Sequence, residues 1–161
     1  MSLLRPDLCI KGIMDIPFAD LERRGIKGLI FDLDNTLIPW RQYEENPALT
    51  AWFAAIQQQG FAVCILSNSR YCQVEPVGQW LGVAVVCGGK KPGREGFRRA
   101  LTLLQLPPEQ VAMVGDQVFT DIYGGNRIGL YTILTEVITV REHWGTRYVS
   151  RRAEKLVKKN W

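Results

Sequence analysis

The sequence predicts an α/β fold, a parallel sheet of about five strands with helices on both faces. Two observations predict it. Short runs that are apolar at nearly every position alternate with segments of helical periodicity, as strands covered on both faces require. The runs are also followed by polar clusters, and open parallel sheets bind ligands beyond the carboxyl ends of their strands.

Each element has its own signal. Gly28 to Asp32 is an apolar run ending in acid, read as a buried strand. Asn46-Pro47 supplies an N-cap and a first-turn proline. Leu49, Trp52, Phe53 and Ile56 then follow at i, i+3, i+4 and i+7, so Pro47 to about Gln59 is an amphipathic helix closed by Gly60. Phe61 to Leu66 is the second strand, Tyr71 to Leu81 a helix, and Val83 to Val86 the third strand. Glu95 to Leu104 places Phe97, Leu101 and Leu104 on one helical face before Pro107-Pro108 breaks it. Val111 to Val114 is the fourth strand, Phe119 to Arg127 a short helix whose Gly124-Gly125 reads as a turn or a close-packing element, and Leu130 to Leu134 the fifth strand.

The 161 residues suit a single domain over 1–161, with its core at about 26–135 and a basic C-terminal helix at about 147–159. A hydrophobic share of 47% excludes disorder as the dominant state. The lone histidine, His143, argues against a histidine-built zinc site or a Ser-His-Asp triad. Cys9, Cys64, Cys72 and Cys87 form no C-x-x-C pair and read as reduced, space-filling thiols, which suits the cytoplasm. No secretory signal is visible, and no apolar stretch reaches the roughly 18 to 20 residues of a membrane span.

Four clusters carry the chemistry. Asp32-Leu33-Asp34-Asn35-Thr36 follows the first strand and Ser67-Asn68-Ser69 the second. Lys90-Lys91-Pro92 follows the third, and Gly115-Asp116 with Thr120-Asp121 the fourth. All four therefore converge on one edge of the sheet. Several carboxylates cannot stay ionised together without a cation. Oxygen-only ligands favour a hard metal, and Mg²⁺ is the usual choice beside phosphate. Lysine and hydroxyls nearby suit an anion, so the inventory fits metal-assisted phosphoryl transfer. Blander readings are a solvated loop at Lys90-Lys91 and a helix cap at Asp121. Thr36 reads as structural.

This ordered set, from Gly28 to Leu134, resembles the haloacid dehalogenase superfamily of phosphatases, with their Rossmann-like fold. More narrowly, Arg5-Pro6-Asp7, Arg24 to Gly28, Asp34-Asn35-Thr36-Leu37 and Gly115-Asp116-Gln117 resemble the YqeG-like subgroup, related to phosphatidylglycerophosphate phosphatases. The resemblance implies Asp32 as nucleophile and Asp34 as general acid and base. It implies Mg²⁺ held by Asp32, Asp116, the main-chain carbonyl of Asp34 and, directly or through water, Asp121. Ser67, Asn68 and Lys91 would bind the phosphate. Proline after Lys91 favours it over Lys90, but adjacent lysines leave the register open.

Family members often insert a cap domain between these motifs. The stretches from Asp34 to Ser67 and from Ser67 to Lys91 are too short to hold one, which implies the capless type, with an open site for a phosphate on a large body. Arg141 to Trp161 carries seven basic and two acidic residues, whereas the rest of the chain is nearly neutral. A helix there would align Arg147, Arg151, Lys155 and Lys158 opposite Val149, Ala153 and Leu156, a stripe suited to an anionic membrane or merely a solvated face. Nucleic acid is not expected as a partner. The leading expectation is hydrolysis of phosphatidylglycerophosphate by a cytoplasmic enzyme peripheral at the membrane. The alternatives are a phosphatase of a soluble phosphomonoester or phosphoprotein, and a non-catalytic binding or assembly factor.

Overall fold

A computed structural model describes residues 2–138; the basic helix expected at 147–159 lies outside the described residues. Its centre is a six-stranded, fully parallel sheet in the order β1-β6-β5-β2-β3-β4. The strands are β1 (Leu8–Ile10), β2 (Gly28–Phe31), β3 (Ala62–Leu66), β4 (Ala84–Val86), β5 (Val111–Gly115) and β6 (Tyr131–Thr135). The helices are α1 (Phe18–Arg23), α2 (Pro47–Gln58), α3 (Tyr71–Leu81), α4 (Arg94–Leu104) and α5 (Tyr123–Asn126). All five expected strands are present, and β1 joins them at the edge beside β6.

The two-residue period of the strands divides the core between two faces. Leu29, Phe31, Val63, Ile65, Ala112 and Val114 meet Leu21 of α1, Leu49, Phe53 and Ile56 of α2, and Val74, Val77 and Leu81 of α3. Ile30, Cys64, Leu66, Val111 and Met113 face the other way, onto Phe97, Ala100 and Leu104 of α4. Cys64 fills space there, and burial pushes its thiol up to about 12. Cys9, by contrast, is exposed on β1. At the start of α2 the Asn46 side chain accepts from the amides of Ala48 and Leu49, as the capping signal implies.

The edge strand is tied down by side chains. The Asp7 carboxylate accepts from the amide and hydroxyl of Thr132, and the Asn126 amide donates to the carbonyls of Leu3 and Arg5. The expected helix at Phe119–Arg127 is instead a π-helical turn, Val118–Ile122, running into α5. Of the two readings of Gly124 and Gly125, the structure shows close packing: a Cβ on the first would lie 2.6 Å from the Phe97 ring, and on the second 2.9 Å from Thr132.

From β2 the chain moves outward through β3 to β4, then returns to the other side of β2 as β5. The topological switch therefore lies between β2 and β5, which pair from Gly28↔Val111 to Phe31↔Val114. A crevice opens at such a point, because the connections leave in opposite directions. No inserted cap domain stands over it among the described residues.

Candidate active site

The residues directly after β2 and β5 face each other across this switch. The Asp32 amide donates to the Val114 carbonyl at 2.9 Å, which sets Asp32 and Asp116 side by side. Thr36 links them: its hydroxyl lies 3.2 Å from Asp116 Oδ1 and 3.4 Å from Asp32 Oδ2. Asp121 enters from the π-helical turn, where its carboxylate accepts from the Gln117 amide. It lies so close to β5 that a Cβ at Gly115 would overlap its carboxylate. Asp32, Asp116 and Asp121 are all buried, and each offers a carboxylate oxygen within 4.8 Å of the others.

Lys91 closes this group. Its Nζ lies 2.6 Å from Asp32 Oδ1 and 2.7 Å from Asp121 Oδ1. Burial alone would pull the ammonium pKa down, but the charges of Asp121 and Asp32 outweigh it and hold Lys91 protonated. Lys90 is exposed, so the structure selects Lys91 as the buried lysine of the pair. Three carboxylates against one ammonium leave a formal surplus of two negative charges in a buried cluster. The surplus shows at Asp116, whose carboxyl is pushed well above the usual range by burial and by Asp32 and Asp121. A hard divalent cation fits this donor set in charge and in ligand type. Asp121 is likewise raised, to about 6, by burial against the pull of Lys91.

Asp34 stands apart from the triad. Its carboxylate accepts from the Tyr43 hydroxyl, the Arg41 amide and the Ser69 hydroxyl. Burial, followed by the charge of Asp34, raises the Tyr43 pKa, so the phenol keeps its proton. Ser67 is buried at the end of β3, and its Oγ accepts from the Ser69 amide at 3.0 Å. Its own hydroxyl proton is thereby left to donate toward an anion. Asn68 was expected to bind phosphate. Its side-chain amide clamps the Lys91 main chain, accepting from the Lys91 amide at 2.7 Å and donating to the carbonyl at 3.2 Å. One side-chain N–H and the backbone amide remain to meet an anion.

The structure thus brings Asp32, Asp34, Ser67, Lys91, Asp116 and Asp121 to one edge. Sequence reasoning did not find Tyr43 or the bond from Ser69 to Asp34. Tyr43 lies in an irregular segment between β2 and α2, where no periodicity marks which side chain turns inward. Ser69 was visible as a member of the second polar cluster, but with no role or partner assigned.

A family model described as haloacid dehalogenase-like hydrolase matches residues 40–129. The chain is 35% identical over 152 residues to a probable phosphatase, YqeG, of Bacillus subtilis, covering 94% of this chain and 88% of that one. It is 32% identical to a chloroplastic phosphatidylglycerophosphate phosphatase 1 of Chlamydomonas reinhardtii, covering 99% of this chain but 63% of the algal protein. Among solved structures, a 3-deoxy-D-manno-octulosonate 8-phosphate phosphatase from Yersinia pestis superimposes with a TM-score of 0.55 at 21% identity, over 75% of this chain and 69% of that one. That likeness concerns the fold.

Proposed function

The chain belongs to the haloacid dehalogenase-like hydrolase family, and from that premise we propose its substrate and the work of its residues. It is a phosphatase. The substrate we assign is a phospholipid monoester, phosphatidylglycerophosphate, cleaved to phosphatidylglycerol and inorganic phosphate. The observation that carries this assignment is the match to the algal phosphatidylglycerophosphate phosphatase across 99% of this chain. The uncapped site supports it, because a phosphate presented at a membrane surface cannot be enclosed by a closing lid.

Asp32 attacks phosphorus in line, forming an aspartyl-phosphate, a mixed anhydride, as the bond to the alcohol oxygen breaks. The departing oxygen keeps the electron pair and takes a proton from the Asp34 carboxyl. Asp34, now a carboxylate, then removes a proton from the water that attacks the phosphoryl group. The bond between phosphorus and the Asp32 oxygen breaks and Asp32 is restored as a carboxylate. One water is consumed, and one alcohol and one phosphate are released. Lys91 and the Ser67 hydroxyl hold the phosphoryl oxygens and oppose their growing charge. Asp32, Asp116 and Asp121, with the main-chain carbonyl of Asp34, would hold Mg²⁺, which supplies charge neutralisation at phosphate.

The test is a side-by-side assay of the purified protein with Mg²⁺ on phosphatidylglycerophosphate in mixed micelles, glycerol phosphate and a phosphopeptide. The lipid should turn over fastest by kcat/KM, and Asp32→Asn should remove activity on all three, since an amide is a poor nucleophile. A preference for either soluble substrate would overturn the lipid assignment. Activity retained by Asp32→Asn would overturn the mechanism.

A further inference from the structure

Asp34 is held by more donors than a freely rotating acid needs. The Tyr43 hydroxyl lies 3.2 Å from Oδ1 and 3.5 Å from Oδ2. The Arg41 amide donates to Oδ1 at 3.2 Å, and the Ser69 hydroxyl to Oδ2 at 3.0 Å. We propose that Tyr43 and Ser69 are positioning residues for proton transfer at Asp34, fixing Oδ2 as the oxygen that gives its proton to the leaving group. The inference rests on the reading of Asp34 as general acid.

A carboxylate oxygen offers two lone pairs in its plane. On Oδ1 both are taken, by Tyr43 and the Arg41 amide. On Oδ2 Ser69 takes one, and Tyr43 at 3.5 Å is at the limit of a hydrogen bond. A proton on Asp34 therefore belongs on Oδ2. Ser69 also donates its amide to Ser67 Oγ, so the residue that orients the acid touches the hydroxyl assigned to the phosphate. Acid and phosphate are thus held in one register by a three-residue segment.

Tyr43 reaches Asp34 from a segment that is itself pinned. The Asn35 side chain accepts from the Trp40 amide at 3.2 Å, and Asp34 forms a β-bridge with Ile38. The Arg41 guanidinium stacks 4.5 Å over the Trp40 ring. Asn35 and Arg41 both adopt left-handed backbone, φ 65° and 59°. Non-glycine residues persist in that conformation where the surrounding structure over-determines it. The loop reverses sharply and returns Tyr43 to the acid.

Leaving-group dependence tests this. The quantity to measure is kcat/KM, which covers only the steps up to departure of the alcohol. Glycerol phosphate needs a proton on its leaving oxygen; p-nitrophenyl phosphate does not. Tyr43→Phe and Ser69→Ala should each lose at least about tenfold on glycerol phosphate and less than about threefold on p-nitrophenyl phosphate. Asp34→Asn should show the same bias more strongly. Ser69→Thr, which keeps a hydroxyl, should recover most of the loss of Ser69→Ala. Melting curves confirm that each variant is folded. Equal losses on both substrates in Tyr43→Phe and Ser69→Ala, with Asp34→Asn still biased, would overturn the positioning role. Absence of bias in Asp34→Asn would instead overturn the acid assignment itself, and this inference with it.

Discussion

Asp116 is the group on which the electrostatics of the site fall hardest. It is buried beside Asp32 and Asp121, with Lys91 engaged by those two, and its carboxyl is raised well above 3.8. Between the unfolded pKa and the raised folded one, the folded chain binds more protons than the unfolded chain. Stability of the metal-free protein therefore falls as pH rises through that window, and the full penalty remains above it. Asp116→Asn keeps an acceptor for Thr36 and removes the charge. Without metal at pH 8 it should melt higher than the native chain, by roughly 2 to 4 °C for each kcal/mol of repulsion relieved. Added Mg²⁺ should raise the native melting temperature and leave the variant unmoved. An unchanged or lower melting temperature in the metal-free variant would place the excess charge elsewhere. Asp32 and Asp116 were legible as candidates because each directly follows an apolar run of strand length, whereas the sequence left the choice between Lys90 and Lys91 open. The job of Thr36 between two carboxylates was not legible, since a hydroxyl four residues beyond an acid has many uses. Asn68 was legible as a site residue but not as a clamp on Lys91, because main-chain partners leave no trace in sequence.

At the level of elements, α2 was legible because capping and periodicity agree, α4 by its periodicity alone, and β2, β3 and β5 because their runs are apolar on both faces. Strand β1 and helix α1 carry too few residues for any period to show. The short strand β1 is set against β6 by Asp7 and Asn126, contacts made over more than a hundred residues of chain. The π-helical turn was missed for a different reason. Its extra width comes with the carboxylate of Asp121 lying against the end of β5, and that demand is tertiary. Gly115 is its counterpart: any Cβ there meets that carboxylate. Gly115→Ala should therefore displace Asp121 and cost about 1 to 3 kcal/mol of stability. Because Asp121 would leave both Lys91 and the metal site, Mg²⁺ affinity should fall as well. Thermal melts and a calorimetric Mg²⁺ titration read the two effects separately. Native affinity in a folded Gly115→Ala protein would mean that Asp121 takes no part in holding the metal.

For the whole molecule, strand order decides where chemistry can occur and the charge distribution decides what can be brought there. The switch between β2 and β5 opens the site at one edge, and no inserted domain covers it among the described residues. Under the proposed lipid assignment, part of the substrate preference would come from outside the pocket. The surplus positive charge is confined to 141–161, with seven basic and two acidic residues. Attraction to an anionic bilayer is worth about 1 kcal/mol per cation at most, and salt weakens it. Four cations would give reversible association, enough to concentrate the enzyme where a lipid phosphate is displayed. Changing Arg147, Arg151, Lys155 and Lys158 together to glutamine should lower sedimentation with phosphatidylglycerol vesicles. Turnover of vesicle-borne phosphatidylglycerophosphate should fall with it, while glycerol phosphate hydrolysis should hold. Raising the salt should shrink the difference between native and variant proteins on vesicles, because screening removes the same attraction that the substitutions remove. Equal loss on vesicle-borne and soluble substrates would assign these residues to the fold or the site and end the case for membrane recruitment.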